Sequence, residues 1–162
     1  MRIAIISDTH MPRGGRRLTA RCVEELRNAE LILHAGDVVT RSVLEELERL
    51  APVEAVHGNM DERELVERLP GRRVVDAHGI RIGIVHDPGP APGRAERLAA
   101  LFPGCGAVVY GHTHLPVVDR WRDVWMLNPG SPTERRRAPV RSMLVVHANA
   151  GQLEPALLEL PA

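Results

Sequence analysis

Apolar positions recur along this chain with two different periods, and the change from one to the other divides it. Ile3, Ile5 and Ile6 form a short β-branched run, which predicts a strand over Arg2 to Ser7 buried on both faces. Leu18, Cys22 and Leu26 then fall at spacing four, one stripe of a helix ending near Asn28. Leu31 to Leu33 predicts a second strand. Thr40 is placed to cap a helix lined by Val43, Leu44, Leu47 and Leu50, which Pro52 ends before a third strand through Val53, Ala55 and Val56. Asp61 and Glu64 have the spacing of a capping box for a short helix to Leu69, after which Pro70 and Gly71 break the chain.

Past Gly71 the pattern becomes strand-rich. Val74 to Asp76 and Ile80 to Val85 flank a His78-Gly79 turn and predict a hairpin, followed by one helix over Arg94 to Phe102. Ala107 to Tyr110, Val117 to Trp121, Val124 to Leu127, Val140 to His147 and Leu153 to Leu160 each predict a strand. A βαβαβα half followed by a strand-rich half predicts an α/β (α+β) fold, two packed sheets between helical layers. With 162 residues, 44% of them hydrophobic, the expectation is one globular domain spanning 1–162.

Composition narrows the function classes. Acidic and basic residues balance at 21 each, so there is no general surface for nucleic acid or anionic membranes, and any phosphate must be met locally. Little aromatic material is present for stacking bases, with Phe102 the only Phe and Tyr110 the only Tyr. Cys22 and Cys105 form no disulfide framework and read as small core residues. No segment resembles a secretion signal or a membrane span, so the expected location is cytoplasmic. The basic residues are all arginine, which composition bias alone can produce. Homo-oligomerisation is left open.

The chemistry gathers at strand ends. Asp8 and His10 follow the first predicted strand, Asp37 the second, Asn59 the third, His86 the fifth, and His112 with His114 the sixth. In open α/β sheets ligand sites form beyond the carboxyl ends of strands, so residues distant in sequence converge there. On extended backbone, residues two apart point the same way, which would let Asp8 and His10, and His112 and His114, present paired side chains. Gly36, Gly58 and Gly111 permit tight backbone before a ligand. Seven candidate ligands exceed the four of a tetrahedral zinc site and match two ions of higher coordination sharing a carboxylate, for which Asp37 is the candidate. Imidazole, carboxylate and amide oxygen without thiolate suit Mn, Fe, Co, Ni or Zn better than Ca.

Taken singly, each of these residues has an ordinary explanation as a cap, a turn residue or a hydrogen-bonded histidine. Their joint placement at strand ends carries the reading. His34 and His57 are candidates for groups that orient ligands. His78 reads as a turn residue, and His147 lies in a late strand. The run Arg135-Arg136-Arg137, beside Ser131, reads as solvated surface, with contact to a substrate phosphate as the alternative.

The segments Asp8-Thr9-His10, Gly36-Asp37, Gly58-Asn59-Met60-Asp61, His86 and Gly111-His112-Thr113-His114, in this order, resemble the signature of the calcineurin-like metallophosphoesterase superfamily. Asn128-Pro129-Gly130-Ser131 and the short length resemble its small single-domain prokaryotic phosphodiesterase branch. The resemblance implies a four-layer αββα sandwich of two mixed β-sheets flanked by helices. It implies two divalent metal ions, manganese first among the expectations, with Asp8, His10 and His114 on one, Asn59, His86 and His112 on the other, and Asp37 bridging. It implies a phosphoesterase, foremost a phosphodiesterase, that hydrolyses small phosphate esters with a metal-bridging hydroxide, Asp37 and Asn59 serving catalysis. Arg13, in the loop after His10, is a candidate for phosphate contact.

Two departures stand out. Met60 occupies the position where larger relatives carry a catalytic histidine, and methionine donates no proton, so activated aryl diesters should be the best substrates. His86-Asp87-Pro88-Gly89 departs from the glycine and second histidine common in small relatives, so the loop beyond that ligand should differ in shape. The rival expectations are a phosphomonoesterase and a catalytically weak scaffold like the vacuolar-sorting subunit of the retromer coat, which resembles this pattern too.

Overall fold

The computed structural model describes residues 1–161. Its elements run β1 (Arg2–Ile6), a 3-10 turn (Arg13–Gly15), α1 (Ala20–Arg27), β2 (Leu31–His34), α2 (Arg41–Glu48), β3 (Val53–Ala55), α3 (Arg63–Arg68), β4 (Arg72–Ala77), β5 (Ile80–Val85), α4 (Arg94–Leu101), β6 (Ala107–Tyr110), β7 (Val117–Trp121), β8 (Val124–Asn128), β9 (Arg141–Asn149) and β10 (Gln152–Leu160). Every expected element is present, with ends shifted by two residues or fewer.

The strands form two mixed five-stranded sheets, ordered β10-β9-β1-β2-β3 and β4-β5-β6-β8-β7. In the first sheet β1, β2 and β3 are parallel; in the second β5, β6 and β8 are. Antiparallel strands complete each sheet.

Strand alternation sorts the apolar residues into layers. Ile3, Ile5, Leu31 and Leu33 face Ile82, Ile84, Val109 and Leu127 across the space between the sheets. Their neighbours Ala4, Ile6 and Ile32 point the other way, onto Cys22, Leu26 and Leu47 of α1 and α2. On the far side Val85, Val108 and Tyr110 pack on Leu98 of α4 and on Phe102 just after it. A period-2 strand with both faces apolar is thus satisfied twice, once by the opposing sheet and once by helices, giving the four-layer αββα sandwich. Both cysteines are buried in these clusters.

Two helix starts differ from expectation. Glu62, not Asp61, is the N-cap of α3 and makes no side-chain cap, because the Asp61 carboxylate is turned back to the loops before it. Thr40 is the N-cap residue of α2 as expected but makes no side-chain cap, its hydroxyl pairing with Ser42 instead, whereas Thr19 accepts from the Cys22 N–H and caps α1.

Register places the site. Ile6 pairs with His34, and His34 with Ala55, while Val85 pairs with Tyr110 in the other sheet. Three parallel strands in one sheet and two in the other therefore end level, and their following loops share one rim.

Candidate metal centre

Asp8, His10, Asp37, Asn59, His86, His112 and His114 all lie in those loops, and their side chains form one continuous cluster. His114 Nε2 is 3.3 Å from Asp8 Oδ1 and 3.3 Å from His10 Nε2. Asp37 Oδ2 lies 3.5 Å from His10 Nε2 and 3.3 Å from His86 Nε2. Asn59 Oδ1 is 3.1 Å from His86 Nε2 and 3.2 Å from His112 Nδ1. Ligand atoms of Asp8, His10 and His114 lie within 4.8 Å of one another, as do those of Asp8, Asp37 and His86.

The backbone that presents them is not extended. Asp8, His10, Asp37, His112 and His114 all have left-handed φ, between 46° and 67°. The strands stop before the ligands, and a sharp turn at each one aims its side chain, so the expectation of simple strand alternation does not hold. Non-glycine residues in this region carry strain that surrounding contacts must offset. The β-branched Val39, at φ 92°, is the extreme case. Its N–H is held by Asp61 Oδ1 at 2.6 Å, and the other Asp61 oxygen accepts from Gly58 at 2.7 Å. Asp61 thus ties the Asp37 loop to the Asn59 loop.

The glycines beside the ligands serve mainly by absence of a side chain. A Cβ on Gly58 would stand 2.1 Å from Asp37 Oδ1, and one on Gly111 would stand 2.0 Å from Ser7 Oγ and 2.8 Å from Asp8 Oδ2. Either would evict a carboxylate from its place.

Hydrogen bonds fix which atoms face inward. Asp8 Oδ2 accepts from Ser7 Oγ at 2.6 Å and from the His112 N–H at 3.0 Å. Asp37 Oδ1 accepts from the Met60 N–H at 2.8 Å. His86 Nδ1 donates to the Ala35 carbonyl at 2.7 Å and His114 Nδ1 to the Glu134 carbonyl at 3.2 Å. An imidazole that donates through Nδ1 turns the Nε2 lone pair inward. Lone pairs then meet lone pairs in two places: His114 Nε2 against Asp8 Oδ1, and His86 Nε2 against Asp37 Oδ2 and Asn59 Oδ1. Asp8 Oδ1 is buried with no hydrogen-bond partner. Such an arrangement is relieved by a cation or a proton placed in each gap.

The electrostatics agree. Burial alone would raise the Asp8 carboxyl, but the facing His10 and His114 imidazoles and the charge of His86 outweigh it and hold it well below the usual range. Burial likewise opposes, and His86 and the Met60 N–H outweigh, a lowered Asp37. His86 is raised despite its burial because Asp37 and Asp8 favour the imidazolium, a proton there standing in for a cation.

His34 supports the ligands as expected. Fully buried, it accepts from the Gly36 N–H through Nδ1 and donates through Nε2 to Thr9 Oγ1 at 3.2 Å, so it touches both carboxylate loops as a neutral ring. Burial pushes its pKa down to about 4. His57 does not do this. It lines, with Gly71, Asp87, Asn59, His86 and His112, a cavity of about 320 Å3 at the open side of the cluster. His78 is the hairpin turn residue and His147 is exposed on β9.

Sequence reasoning missed the buttress. Asn128 donates to the Gly111 carbonyl and to Thr113 Oγ1, Ser131 Oγ donates to the Asp8 carbonyl at 2.8 Å, and Thr133 Oγ1 donates to the Thr9 carbonyl at 2.7 Å. The signal was the Asn128-Pro129-Gly130-Ser131 segment, for which no role had been assigned. Arg13 reaches the Met60 carbonyl across the mouth rather than the ligands. The loop after His86 is shaped by α4, whose Arg94 donates to the Gly89 carbonyl and Arg97 to those of Pro88, Pro90 and Pro92.

The family model described as the calcineurin-like phosphoesterase superfamily domain matches residues 1–151. The chain belongs to this superfamily. A probable metallophosphoesterase of Methanothermobacter thermautotrophicus is 37% identical to this phosphoesterase chain, over all of it and 94% of the relative. A phosphodiesterase of Methanocaldococcus jannaschii is 28% identical, over 80% of the chain and 83% of its own length. Among solved structures, zinc-complexed Vps29 from Entamoeba histolytica superimposes with TM-score 0.79 at 20% identity, over 98% of this chain and 99% of that one, which shows the shared fold. No described helix of the phosphoesterase is long and apolar enough to cross a membrane.

Proposed function

We propose that this chain is a dinuclear metal-dependent phosphodiesterase. The observation that carries the reading is the pair of gaps in which ligand lone pairs face one another, at Asp8 with His114 and at Asp37 with His86. Asp8, His10 and His114 would hold one divalent ion, and Asn59, His86 and His112 the other. Asp37 would be shared between them, since its free oxygen lies 3.5 Å from His10 Nε2 and 3.3 Å from His86 Nε2, an imidazole of each set, whereas the ion pairs of Asp8 Oδ1 are with His10 and His114. The donor set suits manganese and its transition-metal neighbours. The ions supply Lewis acidity, withdrawing charge from phosphoryl oxygens and acidifying water.

The chain's own residues bind and orient. Asn59 and His112 stand exposed at the mouth and Asp8, His10 and His114 lie buried behind them, so an ester arrives on the Asn59 side. The Asn59 amide nitrogen is available to a phosphoryl oxygen. Met60 supplies only backbone: its N–H positions Asp37 and its side chain is exposed without an acidic proton. Aryl leaving groups, which need no proton, are therefore favoured. The similarity to an archaeal phosphodiesterase supports diester over monoester.

The test is hydrolysis of bis-p-nitrophenyl phosphate by metal-stripped protein with Mn, Ni, Co, Zn or Mg restored, alongside Asp37→Ala and His86→Ala. Turnover requiring about two ions per chain, lost in both variants, is the expected result. Metal-replete protein inert towards diesters and monoesters would overturn it. The likeness to Vps29 and the missing acid at Met60 would then favour a scaffold of this fold.

A further inference from the structure

The cavity of about 320 Å3 at the open side shares Asn59, His86 and His112 with the ligand cluster, so a group carried by an ester that arrives at Asn59 meets it directly. The His86 and His112 rings stand edge to face, centroids 5.2 Å apart, and form its inner corner. Its outer walls are Gly58, Gly71 and Val85, with the His57 ring and the Asp87 carboxylate. Half-buried His57 is anchored by its N–H, which donates to the Pro70 carbonyl at 3.1 Å, and its ring makes no hydrogen bond among the described residues. Two of the walls are glycine, and the space beside His57 is open because Gly71 has no side chain. A Cβ there would meet only the His57 ring, 3.4 Å from Nε2. Imidazole rings, bare backbone and a valine make a small recess of low polarity, suited to a ring.

Charge narrows the class of ring. Asp87 Oδ1 accepts from the Gly89 N–H at 2.8 Å, no cation pairs with this carboxylate among the described residues, and no arginine lines the cavity. A further anionic group on the ester would meet like charge there with nothing to offset it. The position of Met60 separates the two arms of a diester. Met60 does not line the cavity, and its carbonyl accepts from Arg13 across the mouth. A leaving group departs on the Met60 flank, so the cavity is left for the group that stays on phosphorus.

Resting on the phosphodiesterase reading, we propose that this cavity seats the retained arm of the diester, that the arm is an uncharged group of ring size, and that His57 and Gly71 set its size limit. Diesters whose retained arm carries a second phosphate or a carboxylate are then poor substrates.

Two diesters with one leaving group separate the arms: bis-p-nitrophenyl phosphate retains a ring, and methyl p-nitrophenyl phosphate retains a methyl group. With Mn restored, Gly71→Leu should lower the ratio of kcat/KM for the first over the second by about tenfold relative to the wild type, chiefly through KM. An unchanged ratio overturns the proposal. So does an equal loss on both substrates, which would put the leaving group in the cavity. Calorimetry on the Mn-loaded wild type needs no variant. Phenylphosphonate should bind about tenfold tighter than methylphosphonate, and 4-phosphonobenzoate, the same ring with a carboxylate, more weakly than phenylphosphonate. Equal binding of the phenyl and methyl compounds overturns the ring site, and equal or tighter binding of 4-phosphonobenzoate overturns the exclusion of anionic arms. Absence of all turnover would sink the phosphodiesterase reading, while the calorimetry reads the cavity independently.

Discussion

The cluster has a closed half and an open half, built on different terms. Asp8, His10 and His114 are 0%, 4% and 1% exposed, whereas Asn59 and His112 are exposed outright. The closed half is buttressed from behind by Ser7, Ser131 and the Glu134 carbonyl. In the open half Asn59 and His112 touch each other and His86, beside a cavity walled by His57 and Asp87. The difference teaches a division of labour on the proposed reading: the closed half would retain an ion among buried, buttressed side chains, and the open half would be where an ester exchanges.

Asp37 belongs to both halves, so removing it should have the largest effect. Asp37→Ala is expected to lower turnover of bis-p-nitrophenyl phosphate by at least ~10³-fold and to reduce bound metal below one ion per chain. Kinetics with elemental analysis of the same samples checks it, and retention of two ions would break the bridging assignment.

The halves separate in the next pair. His114→Ala should lose tightly held metal and lower the melting temperature, opening a gap in a buried site and leaving the Glu134 carbonyl without its donor. His112→Ala should keep one ion and its melting temperature while turnover falls by roughly 10²-fold. Equal metal loss in both would erase the distinction between closed and open.

Stability against pH probes the closed half without any substrate. In metal-stripped protein His34 stays neutral down to about pH 4, while in the unfolded chain it protonates near 6.5. The unfolded state therefore binds more protons between these values, and stability falls as pH falls through that window, by about 3 kcal/mol in all. The raised His86 acts above 6.5, where its imidazolium adds stability as pH falls, and the lowered Asp8 and Asp37 act below the ordinary carboxylate value. Denaturant melts from pH 7 to 4.5 should show the loss in the wild type and a flatter profile in His34→Leu. The same slope in both would exclude His34 as its cause.

What the sequence made legible followed from local chemistry. Ile3, Ile5 and Ile6, short and β-branched, favour a two-faced buried strand, and ligands placed just after such strands converge once the strands run parallel. The backbone at those ligands was illegible, because Asp and His tolerate a left-handed φ more readily than most residues without requiring it, so their identity does not reveal the turn. Asp61 misled for a related reason. Its spacing to Glu64 imitates a cap, but the strained Val39 and Gly58 N–H groups compete for the same carboxylate and win. Arg16, Arg135 and Arg141 line one cleft, and their proximity depends on how β9 and the loop after His10 pack, which no short-range pattern encodes.

The smallest expected effect tests the open half from the side of chemistry. Met60 stands 38% exposed beside Asn59, and its backbone N–H already holds Asp37, so its side chain can change without disturbing that contact. Met60→His places an imidazole that can protonate a departing alkoxide. A positioned general acid contributes ~10² to 10⁴-fold, and an unrefined graft should recover only about tenfold of that. The gain should appear with alkyl leaving groups and vanish with p-nitrophenolate, which leaves without a proton. A gain of equal size on both substrates would mean that the new side chain acts on binding, and that the open half lacks something other than an acid.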